Sequence, residues 1–346
     1  MTNRSSPIQA PLFIIAGAFL AFTSSTNAET VKDQPQYGTE LEGFNYTYPV
    51  KRYHFNSQQQ KMQMAYIDVP ASQGSTPKNR TVVLMHGKLF CADTWSDTIK
   101  TLSDNGYRVI APDQIGFCKS TKPDGYQYSF QQLASNTHAL LQSLGITRST
   151  VIGHSMGGML ATRYALMYPD ATEQLALINP LGLEDWKALG VPYAGIDRYY
   201  AEELEFTRQG LKDYQRRVHY NGEWRPEFDR WVDMQAGLFS GPGLPVIARH
   251  AALTYDMIYN EPVVYEFANL KPPTTLFIGL IDKTAISHGA SAETKAKLAN
   301  YTELGRAAAK RIPTSTLVEF EDLAHSPHLQ APQQFYPKLL EMLGKQ

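Results

Sequence analysis

Ser155 stands in Gly153-His154-Ser155-Met156-Gly157, directly after the apolar run Thr150–Ile152. A serine hydroxyl is a weak nucleophile, and it needs a base, an acid to orient the base, and donors for the oxyanion. Where a buried strand turns sharply into a helix, a central serine takes a strained backbone conformation. Gly153 and Gly157 then avoid collision with the neighbouring chain. The new helix also points its free N–H groups and positive dipole end at the serine oxygen.

The base must come from the nine histidines of the chain. His154 lies inside the turn and must point away from Ser155, whereas His54 lies early in the chain and His138 on a helix. His219 and His250 belong to a long aromatic, helical stretch. His325, in the loop "FEDLAHSPHLQAP" after the last strand-like run, is the expected base, with His328 as the alternative. The expected acid is Asp282, at the end of "LFIGLID", with Asp185 as the alternative. Two amides are expected to hold the oxyanion. One is that of Met156, and the other is that of Lys88, in the bend "HGKLF" where Gly87 turns the chain and His86 supports the turn.

These residues need strands to carry them. Alternation from Tyr46 to Pro70 suggests an antiparallel pair of lead-in strands. "TVVLMHG", "YRVIAPD", "STVIGHS", "EQLALINP", "TTLFIGLID" and "TLVEFEDL" read as buried strands, separated by helical segments. One of those is a single helix expected through "SAETKAKLANYTELGRAAAK". Repeated strand–helix units imply an α/β fold with a mostly parallel sheet and helices on both faces. The repeat pauses at 183–268, which is expected to be a helical cap. The core is then expected in two parts, 29–182 and 269–346.

The chain has 346 residues, a net charge of −1, 43% hydrophobic and 19% charged residues. That is ordinary for a globular protein, and no basic footprint for nucleic acid is present. The start differs. Arg4, the apolar run Pro11–Phe22 and small residues up to Ala28 have the layout of a secretory signal, so 1–28 is expected to be removed on export. The alternative is an uncleaved anchor. No later run is apolar enough to span a membrane, and the exported protein should be periplasmic or secreted. In that setting the two cysteines, Cys91 and Cys118, permit one disulfide. No zinc-ligand spacing occurs, and neither a metal nor a cofactor is expected.

The pieces "LMHGKLF…TW", "APDQIGFCKS", "GHSMGG", "GLID" and "LAHSPHLQAP" resemble the α/β-hydrolase superfamily, in its lidded serine-hydrolase branch of esterases, lactonases and carbon–carbon hydrolases. The resemblance implies an eight-stranded sheet, a cap after the sixth strand, and the order Ser155, Asp282, His325 along the chain. It also makes the strands before Cys91 and Cys118 sheet neighbours, so the two cysteines are expected to bond. "HGKL" departs from the HGGG type, and Cys118 replaces a residue that is small in relatives. Serine at 155 argues against the aspartate-nucleophile members. The implied function is hydrolysis of a carboxylic ester or related small acyl compound. Carbon–carbon hydrolysis, perhydrolysis or non-catalytic binding are the alternatives. The aromatic insertion suggests an apolar or aromatic substrate.

Overall fold

A computed structural model describes residues 35–344. The expected signal segment 1–28 lies outside the described residues. Eight strands form one sheet: β1 (Val50–Ser57), β2 (Gln60–Val69), β3 (Thr81–Met85), β4 (Arg108–Pro112), β5 (Ser149–His154), β6 (Thr172–Ile178), β7 (Thr274–Gly279) and β8 (Ser315–Phe320). Their spatial order is β1-β2-β4-β3-β5-β6-β7-β8. β2 runs antiparallel to both β1 and β4, and every other pairing is parallel.

The central strands are short apolar runs because both of their faces are covered. In β3 the alternation is explicit: Val83 and Met85 join the core on one face, Val82 and Leu84 the core on the other. One face is covered by α1 (Ser96–Asp104) and, from the end of the chain, a helix over Pro332–Gly344. The other is covered by α2 (Phe130–Ser143), α3 (Met156–Met167) and a helix over Tyr301–Arg311. Ser129 starts α2 by accepting the Gln132 amide at 3.0 Å.

Between β6 and β7 come four helices: α4 (Ile196–Leu204), α5 (Arg208–Val218), α6 (Asp229–Ser240) and α7 (Leu244–Asn260). The segment ahead of β1 packs on α6, with the Tyr37 amide donating to the Gly237 carbonyl at 2.9 Å. The long helix expected after β7 is broken in two. α8 (Ala292–Lys297) and α9 (Tyr301–Arg311) are separated by Ala299, whose φ is +56°. Its amide donates to the buried Glu184 Oε1 at 3.1 Å instead of continuing the helix, and the Asn300 side chain caps α9. After β8 a short α10 (Pro327–Gln330) leads into α11 (Pro332–Gly344). Among the described residues no helix is long and apolar enough to cross a membrane.

Cys91 follows the turn after β3 and Cys118 the loop after β4. The structure pairs them, with a Cα–Cα distance of 5.9 Å.

Candidate active site

Ser155 sits between β5 and α3 with φ 57° and ψ −123°, a conformation rarely tolerated by a side-chain-bearing residue. The turn is tight enough that a Cβ on Gly153 would lie 2.0 Å from the Gly157 carbonyl oxygen, and one on Gly157 2.1 Å from that of Met85. Only hydrogen fits at either position. The strain is held by ordinary ties: the Ser155 amide donates to Ile178 O at 3.2 Å, and Gly158 N donates to Ser155 O at 2.9 Å.

His325, in the loop between β8 and α10, places Nε2 2.8 Å from Ser155 Oγ and Nδ1 2.7 Å from Asp282 Oδ2. Both contacts are within proton-transfer reach. Asp282 lies in the turn after β7 and is fully buried, and each of its oxygens is occupied. Oδ2 also accepts from Asn179 Nδ2 at 2.9 Å, while Oδ1 accepts from the Thr284 amide at 2.8 Å and hydroxyl at 2.6 Å. A carboxylate so held supports a cation on the imidazole without moving.

The turn after β3 passes directly beside the serine, since a Cβ on Gly87 would lie 3.1 Å from Ser155 Cβ. Lys88 follows, and Met156 opens α3, where an amide has no intrahelical acceptor. His86 holds this turn. Its Nδ1 donates to Gly87 O at 2.8 Å, and its Nε2 accepts the Gln114 amide at 3.1 Å. Burial lowers its pKa, which suits a neutral ring that donates from one nitrogen and accepts at the other.

The two alternatives are elsewhere. The His328 ring stacks on Trp95 at 4.7 Å, buried, and burial lowers its pKa to about 3. Asp185 accepts the Lys187 amide at 3.0 Å and the Tyr265 hydroxyl at 2.9 Å.

Several residues at the site carried no sequence signal. His154 turns away from Ser155, yet its Nε2 donates to the His325 carbonyl at 2.8 Å and so helps hold the loop. Asn179 bridges β6 and β7. From the cap, Val218 O accepts the His325 amide at 3.3 Å, and His219 Nδ1 meets Ser326 Oγ at 2.8 Å. Only the closeness of Asn179 to a strand end could have hinted at a role.

A cavity of about 690 Å³ opens over Ser155 and His325. The cap contributes Tyr199, Phe206, Tyr214 and Tyr255 to its wall, but the lining is not only aromatic. Lys88 and Glu203 form a largely buried ion pair at 2.5 Å, with the Lys88 ammonium 4.3 Å from the Tyr255 ring centre.

With this geometry, the likeness to other proteins is direct. A family model described as the alpha/beta hydrolase fold matches residues 80–332. The chain belongs to that family. A solved structure from Pseudomonas aeruginosa PAO1, described as a "probable hydrolytic enzyme", is 58% identical to this α/β-hydrolase. It covers 90% of this chain and 99% of its own, with a TM-score of 0.88. AB hydrolase superfamily protein YfhM of Bacillus subtilis is 39% identical over 99 residues, 28% of this hydrolase and 35% of its own length. The 2-hydroxy-6-oxo-6-phenylhexa-2,4-dienoate hydrolase of Burkholderia cepacia is 34% identical over 144 residues, 39% of this chain and 49% of its own. The chain thus matches about half or less of the length of these two curated relatives.

Proposed function

We propose that the protein is a serine hydrolase that cleaves a carboxylic ester or related acyl compound through an acyl-enzyme. The observation that carries this reading is the unbroken hydrogen-bond chain Ser155 Oγ, His325, Asp282 at 2.8 and 2.7 Å. His325 Nε2 takes the Ser155 proton as Oγ attacks the carbonyl carbon, and Asp282 steadies the resulting imidazolium. The amides of Lys88 and Met156 hold the oxyanion. The tetrahedral intermediate collapses, the bond to the leaving group breaks, and His325 returns the proton to the departing atom. Water then repeats the sequence on the acyl-enzyme and restores Ser155. The aromatic cap wall supports an apolar acyl part, and the Lys88–Glu203 pair adds a polar contact to the same cavity.

A second reading, hydrolysis of a carbon–carbon bond in a ring-fission diketone, is favoured by the name of the Burkholderia relative. It uses the same triad. We further propose that the chain is exported with a Cys91–Cys118 disulfide. The layout of residues 1–28 and the 5.9 Å Cα separation support this.

The test is labelling by a fluorophosphonate with peptide mapping, alongside turnover of short esters and of a diketone. Label on Ser155 is expected, with a loss of about 10⁴-fold or more in kcat for Ser155→Ala. Label on a different serine, or an alanine variant of near-normal turnover, sinks the assignment.

A further inference from the structure

The wall beside the base carries a further histidine that the reaction above does not use. His219, at the end of α5, lines the cavity, and its ring centre lies 5.0 Å from that of His325. Its proton can be located from what its neighbours are able to do. The His325 carbonyl can only accept, so His154, 2.8 Å away, carries its proton on Nε2. Ser326 is buried, and its Oγ has two neighbours: that same His154 Nε2 at 3.4 Å and His219 Nδ1 at 2.8 Å. The serine hydrogen therefore goes to His219 Nδ1. Burial, reinforced by His325 and His328, holds the His219 pKa well below the ordinary histidine range, so the ring is neutral at pH 7. A neutral imidazole that accepts at Nδ1 carries its proton on Nε2. Among the described residues, the one hydrogen bond of the His219 side chain is at Nδ1.

We propose that His219 Nε2–H donates a hydrogen bond to an oxygen on the leaving-group side of the substrate, making His219 a specificity-determining residue. The enzyme then selects acyl compounds whose leaving group carries an oxygen acceptor. This rests on the acyl-transfer reading, in which His325 hands its proton to the departing atom. The edge of the His325 ring that carries Nε2 therefore borders the leaving group, and His219 lines the same cavity with its ring centre 5.0 Å from that of His325. The donor comes from the cap, while the reacting groups come from strand ends. A buried polar group left without its partner penalises a substrate that lacks the matching oxygen, which makes such a site selective.

The test compares n-butyl and 2-methoxyethyl butyrate, which differ by an oxygen in place of a methylene in the alcohol. The readout is the ratio of their kcat/KM values in the wild type, His219→Phe and His219→Gln. Any loss common to both esters cancels. The preference for the methoxyethyl ester is expected to fall about tenfold in His219→Phe, as for one lost hydrogen bond. Glutamine, which can accept from Ser326 and still donate, should retain most of it. If the phenylalanine variant does not fold, His219→Leu takes its place. An unchanged ratio with both esters equally slowed overturns the inference and leaves His219 as a support for the Ser326 loop. A wild type labelled at Ser155 that hydrolyses neither ester also overturns it. Absence of label at Ser155 overturns the underlying reading instead.

Discussion

The two sides of the site, sheet and cap, are built on different terms. On the sheet side the polar groups that hold the triad and its neighbouring turn are matched: Asp282 accepts from His325, Asn179 and Thr284, and both nitrogens of His86 have partners. On the cap side, Tyr199 Oη, Glu203 Oε2, both amide atoms of Gln215, Tyr220 Oη and Trp224 Nε1 are sealed from solvent and have no hydrogen-bond partner among the described residues. Strand ends hold backbone and side chains in a fixed register, so polar groups can be set within bonding distance. The cap helices pack largely through rings, as Tyr220 on Phe228 at 3.7 Å and Tyr199 on Tyr255 at 4.8 Å. Such packing fixes area more than direction and leaves polar tips unmatched. The cap also makes directional bonds where it meets the histidine loop: through Val218 O, His219, and Arg225, which donates to Leu329 O and Gln330 O. On the proposed reading, the bond-breaking groups thus lie on the directional side, and most of the groups lining the rest of the cavity lie on the more adaptable one.

The contrast can be broken by removing partners on each side in turn. The largest effect is expected for Asp282→Asn, about 10⁴-fold in kcat, because the amide leaves His325 in the wrong tautomer. Asn179→Leu, which withdraws one donor from Asp282, should cost roughly 1–3 kcal/mol of stability and lower kcat as well. Steady-state kinetics and urea unfolding read both, and a fully active Asn179→Leu would remove the basis for a matched sheet side. Next is the Cys91–Cys118 pair, which closes a loop of sequence separation 27. Its replacement by alanines should cost about 3–4 kcal/mol. Non-reducing mass spectrometry of the purified protein is expected to show no free thiol, and finding two would contradict the pairing. The smallest effect has the opposite sign. Gln215→Leu replaces a sealed amide that has no partner among the described residues by a similar apolar volume, and should stabilise by about 1 kcal/mol. A destabilised Gln215→Leu would mean that the cap amide has a matched role after all.

Much of this architecture is written locally. Ser155 is legible because a buried strand, two glycines and a helix start are contiguous, and their steric demands are met within a few residues. Asp282 and His325 are legible as polar residues just past strand-like runs, in an order the superfamily resemblance implies. Asn179 is not, although it too follows a strand. Its function arises only because β6 and β7 pair, with Ile178 beside Phe277, which brings its amide to a carboxylate 103 positions away in sequence. The break between α8 and α9 has the same origin. Residues 291–310 read as one helix until the buried Glu184 takes the Ala299 amide from 115 positions away.

The histidines mark the boundary most clearly. By itself the sequence narrowed the expected base to the loop that holds His325 and His328, because a loop at the carboxyl end of the sheet is where backbone topology delivers side chains to a common edge. It assigned nothing to His154 beyond pointing away from the serine, or to His219 beyond membership of the insertion. Only the tertiary structure decided that one holds the His325 carbonyl and that the other stands beside the His325 ring with Ser326 at its Nδ1. Periodicity and turn chemistry act over a few residues, and so they can be read along a chain. A proton's position on a buried ring depends on which acceptor arrives from elsewhere, and that follows from packing alone.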